Sequence, residues 1–118
     1  MTGYEYLKVL VEEMHSTTVA TIGNDGHPQT RVIDMMYYDE EGVYFLTAKG
    51  KAFYEQLMEQ KYIAVSATKD KKAVSLRGTV KNIGKKNLDI MLERIALDVR
   101  YVILYVRRNA LILHRNLW

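Results

Sequence analysis

Hydrophobic and polar positions along this chain follow two periods, and the changes of period mark its elements. Tyr4, Leu7, Val11 and Met14 recur every three to four residues with Glu12 and Glu13 between them, which predicts an amphipathic helix over 4–15. Ser16 to Ile22 is rich in β-branched residues and reads as a strand. Gly23-Asn24-Asp25-Gly26 is a turn, followed by Pro28. From Gln29 to Tyr38 the period is two, with Arg31, Ile33, Met35 and Tyr37 on one face and Val32, Asp34, Met36 and Tyr38 on the other. Asp39-Glu40-Glu41-Gly42 turns the chain again, and Val43 to Thr47 is a third strand.

The helical period returns over 51–60, where Phe53, Tyr54, Leu57 and Met58 form an apolar stripe. Tyr62–Thr68 and Ala73–Ile83 read as fourth and fifth strands around the charged turn Lys69-Asp70-Lys71-Lys72. Gly78 interrupts the fifth strand and marks a bulge or a barrel corner. Leu88, Met91, Leu92 and Ile95 predict a third helix over 87–97. Residues 100–106 and 110–114 read as a closing hairpin turning at Arg107-Arg108-Asn109. The expectation is a mainly β, α+β chain: a split antiparallel β-barrel of six to seven strands with three short helices, forming one domain over 1–118. Apolar residues on both faces of 32–36 fit a strand with one face in the barrel and the other against a partner chain.

Composition narrows the chemistry. There are no cysteines, which removes disulfides, thiolate catalysis and cysteine-based metal sites. His15, His27 and His114 lie in separate segments without metal-ligand spacing, so no metal is expected. No apolar run is long enough for a membrane helix and the N-terminus does not resemble a signal peptide, so a soluble cytoplasmic protein is expected. The net charge of +3 is spread along the chain rather than clustered, which disfavours nucleic acid and is compatible with a small anionic ligand. No nucleophile elbow, Walker motif or dinucleotide fingerprint is present, and no residue stands out as a catalytic acid or base.

Two features carry candidate chemistry. In Thr47-Ala48-Lys49-Gly50-Lys51 a strand end, a tight turn with two lysines and a helix start follow one another. That order suits a phosphate seat, because backbone N–H groups and the helix N-terminus face an anion; it also suits a plain polar turn with surface lysines. Arg31 stands mid-strand among apolar residues and needs an anion or a carboxylate. A ligand phosphate would serve, and so would Asp34 or Asp39. Nine tyrosines and Trp118 offer stacking surfaces, but strand alternation points to packing for most of them.

Several pieces in order resemble the pyridoxamine 5'-phosphate oxidase-like, FMN-binding split-barrel family. They are Val19–Ile22 with the Asp25-Gly26 turn, Pro28–Ile33, Gly42–Thr47, Lys51–Leu57 and Val74–Val80. The resemblance implies a homodimer with FMN at the interface. Arg31, Val32, Ile33 and Asp34 match the strand beside the flavin ring and phosphate, and Leu46 and Thr47 the next strand end. Lys51 matches the phosphate-binding lysine, with Lys49 and Gly50 beside it, and Ser66 and Arg77 would approach from the other subunit. The C-terminal extension with substrate-binding arginine and histidine that pyridoxal-phosphate-forming members carry is not expected here. The likeness is to short flavin-binding relatives, and it implies a flavin-dependent oxidoreductase without an identified substrate or a flavin store or sensor. A barrel for haem or a deazaflavin, and a nucleic-acid-binding barrel, are the alternatives.

Overall fold

The computed structural model describes residues 2–84 and 101–115. Its seven strands are β1 (Ser16–Ile22), β2 (Pro28–Asp34), β3 (Tyr37–Tyr38), β4 (Gly42–Ala48), β5 (Tyr62–Lys69), β6 (Lys72–Gly84) and β7 (Tyr101–Arg115). They form one antiparallel sheet in the order β2-β1-β5-β6-β7-β4-β3. The two edges of that sheet are consecutive in sequence, so the sheet curls until one segment joins both edges. This is the split-barrel architecture that the pattern of strands implies.

The joining segment corrects the expectation of a single strand over 29–38. Met35 N–H donates to the His15 carbonyl at 2.9 Å, and Met36 N–H donates to the Tyr44 carbonyl at 2.9 Å. Between these two bonds the chain leaves β1 and joins β4. Arg31, Ile33 and Met35 still face inward, with Met35 fully buried, but the alternation loses phase there and Tyr37 is exposed. Sequence alternation reports which face a residue occupies, not which neighbour its backbone pairs with.

The predicted first helix is an α-helix, α1 (Gly3–Lys8), that widens into a π-helical stretch over Val9–Met14. Thr2 caps α1 by accepting the Glu5 N–H at 3.2 Å. The wider turn buries Val9, Leu10 and Val11 together with Met14, which a 3.6-residue period would not do. It ends at His15, whose φ of 61° turns the chain into β1.

The predicted closing hairpin is instead the continuous strand β7, which pairs with β4 along one side and β6 along the other. Arg107-Arg108-Asn109 is no turn. The register steps from Arg77↔Ala110 to Gly78↔Arg108, leaving Asn109 as the extra residue of a bulge. The bulge predicted at Gly78 is therefore present, and a Cβ at that position would collide with the Arg107 carbonyl. The third predicted helix, over 87–97, lies outside the described residues.

α2 (Ala52–Gln60) covers one end of the barrel. Phe53 and Leu57 are buried from it, and the Phe53 ring stacks on Phe45 with centroids 6.0 Å apart. Leu7, Leu10, Val19, Phe45, Leu57, Ile63, Leu76 and Leu104 centre the core. Full burial of such a side chain contributes about 1.5–3 kcal/mol, so the barrel interior dominates stability. At its far end α2 is tied to β1, because the Gln60 side-chain amide accepts from Ile22 N–H and donates to the Ile22 carbonyl. No helix among the described residues is long and apolar enough to cross a membrane.

Candidate functional site

The strand alternation sends the candidate residues in two directions. Arg31 and Ile33 point inward from β2, and Thr47 is buried on the inward face of β4. Val32 and Asp34 point outward, as does the half-buried Leu46. Ser66 and Arg77 lie on the outward face of β5 and β6. Lys49, Gly50 and Lys51 form the exposed turn between β4 and α2.

Arg31 is brought to the turn by α2. Its guanidinium carbon sits 4.1 Å from the centroid of Phe53, the second residue of the helix. It contacts neither acid considered for it. Asp34 accepts the Ser16 hydroxyl at 2.8 Å and stands 3.7 Å from His15. Asp39 accepts the Tyr44 hydroxyl at 2.6 Å and the Tyr105 hydroxyl at 3.0 Å. Among the described residues the polar contact of Arg31 is a bond to Gln29 Oε1 at 3.3 Å, and its charge has no carboxylate partner. A half-buried cation in that state favours an anion.

The start of α2 offers the complementary groups. Lys51 occupies the N-cap position and makes no side-chain capping bond, and among the described residues no side chain accepts from the first-turn N–H groups. Gly50 has φ of 92°, which permits the tight turn, and a Cβ there would meet nothing within 4 Å. Thr47 is 5% exposed, and its hydroxyl makes no hydrogen bond among the described residues. Arg31, over Phe53, therefore lies at the start of α2, where Lys51 is the N-cap residue, and Thr47 precedes the turn at the end of β4.

Ser66 and Arg77 are not brought to this end. With Thr18, Ala20, Thr30 and Ser75 they line a shallow cavity of about 250 Å³ on the outward face. That face is built of small side chains, and Val32 stands out of it with 69% of its surface exposed.

The sequence reading missed two polar groupings. Thr21, Gln29 and Gln56 form a hydrogen-bonded row beside Arg31. Its one signal was a glutamine on the apolar side of α2, three residues after Phe53. The second grouping is centred on Asp39, which also accepts the N–H groups of Glu41 and Gly42 at 2.8 and 2.9 Å. Burial pushes its carboxyl up, but these four bonds outweigh burial and hold it below the ordinary value. Burial and the bond to Asp39 raise the Tyr44 hydroxyl, and the same two causes push Tyr105 up to about 12. Tyr37, Tyr44 and Tyr105 stand in one cross-strand row with ring centroids 5.6 and 4.6 Å apart. The row is a packing device for β3, β4 and β7.

Comparison with known proteins bears on what this arrangement belongs to. Residues 5–107 match the family described as Pyridoxamine 5'-phosphate oxidase. This chain belongs to the pyridoxamine 5'-phosphate oxidase family. No curated protein sequence matches it. Among solved structures, an F420 reductase superposes with a TM-score of 0.73 at 21% identity, over 95% of this chain and 98% of that one. General stress protein 26 from Bacillus anthracis gives 0.78 at 14% identity, over 96% and 94%. A pyridoxamine 5'-phosphate oxidase-related, FMN-binding protein from Nostoc punctiforme gives 0.69 at 11% identity, over 95% and 80%. At these identities the likeness is one of fold.

For a member of the pyridoxamine 5'-phosphate oxidase family, the residues at the start of α2 fit a phosphate ester. Two cationic side chains, helix amides without a side-chain cap among the described residues, and one hydroxyl donor suit its oxygens. The solved structures that share this fold thus include an FMN-binding protein and an F420 reductase.

Proposed function

We propose that this protein is an FMN-binding oxidoreductase that works as a homodimer with two equivalent sites. Arg31, Thr47 and Lys51 hold the phosphate, with Lys49 and Gly50 shaping the turn. The backbone of Val32, Ile33 and Asp34 runs along the ring, and Leu46 packs beside it. Ser66 and Arg77 reach the same ligand from the second copy, which accounts for their position on the outward face. The observation that carries the reading is the half-buried Arg31 charge, without a carboxylate partner among the described residues, beside a helix start that its N-cap side chain does not cap.

The bound flavin supplies hydride or electron transfer between a reduced donor and an acceptor. The chain itself binds and orients. Arg31 and Lys51 fix the phosphate end, and the small-residue face gives a second copy close approach to the ring. The family membership and the FMN-binding relative support this choice of cofactor. A deazaflavin is the second reading, favoured by the F420 reductase that matches nearly end to end. Its phosphodiester would use the same anchor.

The test is a visible spectrum of the purified protein before and after addition of FMN, with the mass in solution measured by light scattering. A shifted, quenched flavin spectrum on a dimer supports the proposal. Absence of any flavin signal, on a monomer, overturns it. Parallel titration with F420 separates the two readings.

A further inference from the structure

A chain of three buried or half-buried polar side chains runs from the middle of α2 to Arg31. Thr21 Oγ1 donates to Gln56 Oε1 at 2.8 Å, and Gln56 Nε2 donates to Gln29 Oε1 at 3.1 Å. Gln29 Oε1 also accepts from Arg31 Nη2 at 3.3 Å. Gln56 is 3% exposed and Thr21 5%.

The direction of this chain follows from Arg31. A guanidinium only donates, so Gln29 must turn its carbonyl oxygen toward it. Gln56 must then offer its amide nitrogen to that same oxygen, which leaves its own oxygen for the Thr21 hydroxyl. Every member has one permitted orientation. Gly23, at the end of β1, completes the arrangement: a Cβ there would occupy the space of the Gln29 amide.

We propose that Gln56 is a positioning residue for the phosphate anchor, acting on Arg31 through Gln29. The inference rests on the phosphate reading of the site. Two supports set the guanidinium, the Phe53 ring and the Gln29 oxygen, and both are governed from α2, whose N-terminus supplies the other half of the seat. Cation and helix amides are therefore held in register by one element. A buried glutamine costs free energy unless its amide is satisfied, and here its satisfaction coincides with orientation of Arg31.

The experiment compares FMN with riboflavin, which lacks the phosphate. Both are titrated into wild type, Gln56→Met and Gln29→Met by quenching of flavin fluorescence, with melting temperatures measured alongside. In wild type FMN binds more tightly than riboflavin. Gln56→Met lowers FMN affinity about tenfold and leaves riboflavin affinity within about twofold, as expected for a loosened charge-assisted contact. Gln29→Met, at a half-buried position, gives the same selective loss and carries the test if Gln56→Met does not fold.

Equal losses for FMN and riboflavin would make Gln56 merely structural, and unchanged FMN affinity in both variants would also overturn the inference. Failure of the underlying reading shows elsewhere, as wild type that binds FMN no better than riboflavin.

Discussion

The guanidinium of Arg31 lies over the ring of Phe53, 4.1 Å from its centroid, on a strand and a helix 22 positions apart in the chain. This contact spares the charge the full cost of lost water, and it leaves the outer edge of the guanidinium available to a ligand. Arg31→Lys keeps the charge and loses both the planar stack and the fork of donors. FMN affinity is expected to fall about tenfold, or about 1.4 kcal/mol. Fluorescence titration reads this, and an unchanged affinity would remove Arg31 from the anchor.

Lys51 is exposed, so its contribution to binding an anion is screened by salt. Lys51→Ala should weaken FMN about fivefold at low ionic strength, with a smaller effect at high salt. Lys69→Ala, in the β5–β6 hairpin, should have no effect. Titrations at two salt concentrations check both.

The outward face of β1, β2, β5 and β6 is the surface proposed to meet a second copy. Val32 is its most exposed apolar residue. Val32→Asp should halve the mass measured by light scattering, with little change in the circular dichroism spectrum. A variant that stays dimeric would move the interface elsewhere.

The Asp39 cluster sets a pH window for stability. The folded carboxyl sits below its ordinary value of 3.8, so its contribution is present above that pH and is lost as pH falls through the folded value. Tyr105 moves the other way, from 10.0 to about 12; its contribution is present below pH 10.0 and is lost as pH rises toward 12. Asp39→Ala removes an acceptor of four hydrogen bonds and should cost about 2–3 kcal/mol at neutral pH. Urea unfolding of wild type and variant at pH 3, 7 and 11 should show the difference largest at pH 7.

Gly78 faces the Arg107 carbonyl across the β6–β7 bulge. Gly78→Ala should destabilise by about 1–3 kcal/mol, because strand backbone must shift to admit the methyl group. A lowered melting temperature with unchanged FMN discrimination is the expected outcome.

Period and turn chemistry made much of the fold legible. The strand at 16–22, the turn at Gly23–Gly26, the helix near 52–60 and the bulge at Gly78 all follow from local signals. What failed depended on partners distant in sequence. The break at Met35–Met36 exists because His15 and Tyr44 each claim one amide. Arg107-Arg108-Asn109 looked like a turn because charge suggests solvent, whereas β7 absorbs it with one bulged residue and an exposed Arg107, 4.0 Å from Glu41. The same holds for the site. The lysine turn was visible as a motif, but the freedom of Arg31 from Asp34 depended on alternation sending the two side chains to opposite faces.

The placement of β7 between β4 and β6 has a consequence for how the chain is made. β1 pairs with β2 and β3 with β4 close in sequence, β5 adds to the free side of β1, and β5 pairs with β6 through a tight hairpin. β4 and β6 have no ladder in common except through β7. As the polypeptide leaves the ribosome, these ladders therefore wait with open hydrogen-bonding edges until residues 101–115 emerge. Closure by such distant pairing is slow and exposes strand edges meanwhile. A stalled or truncated nascent chain lacking β7 would be a ready client for chaperones, while the finished barrel would not.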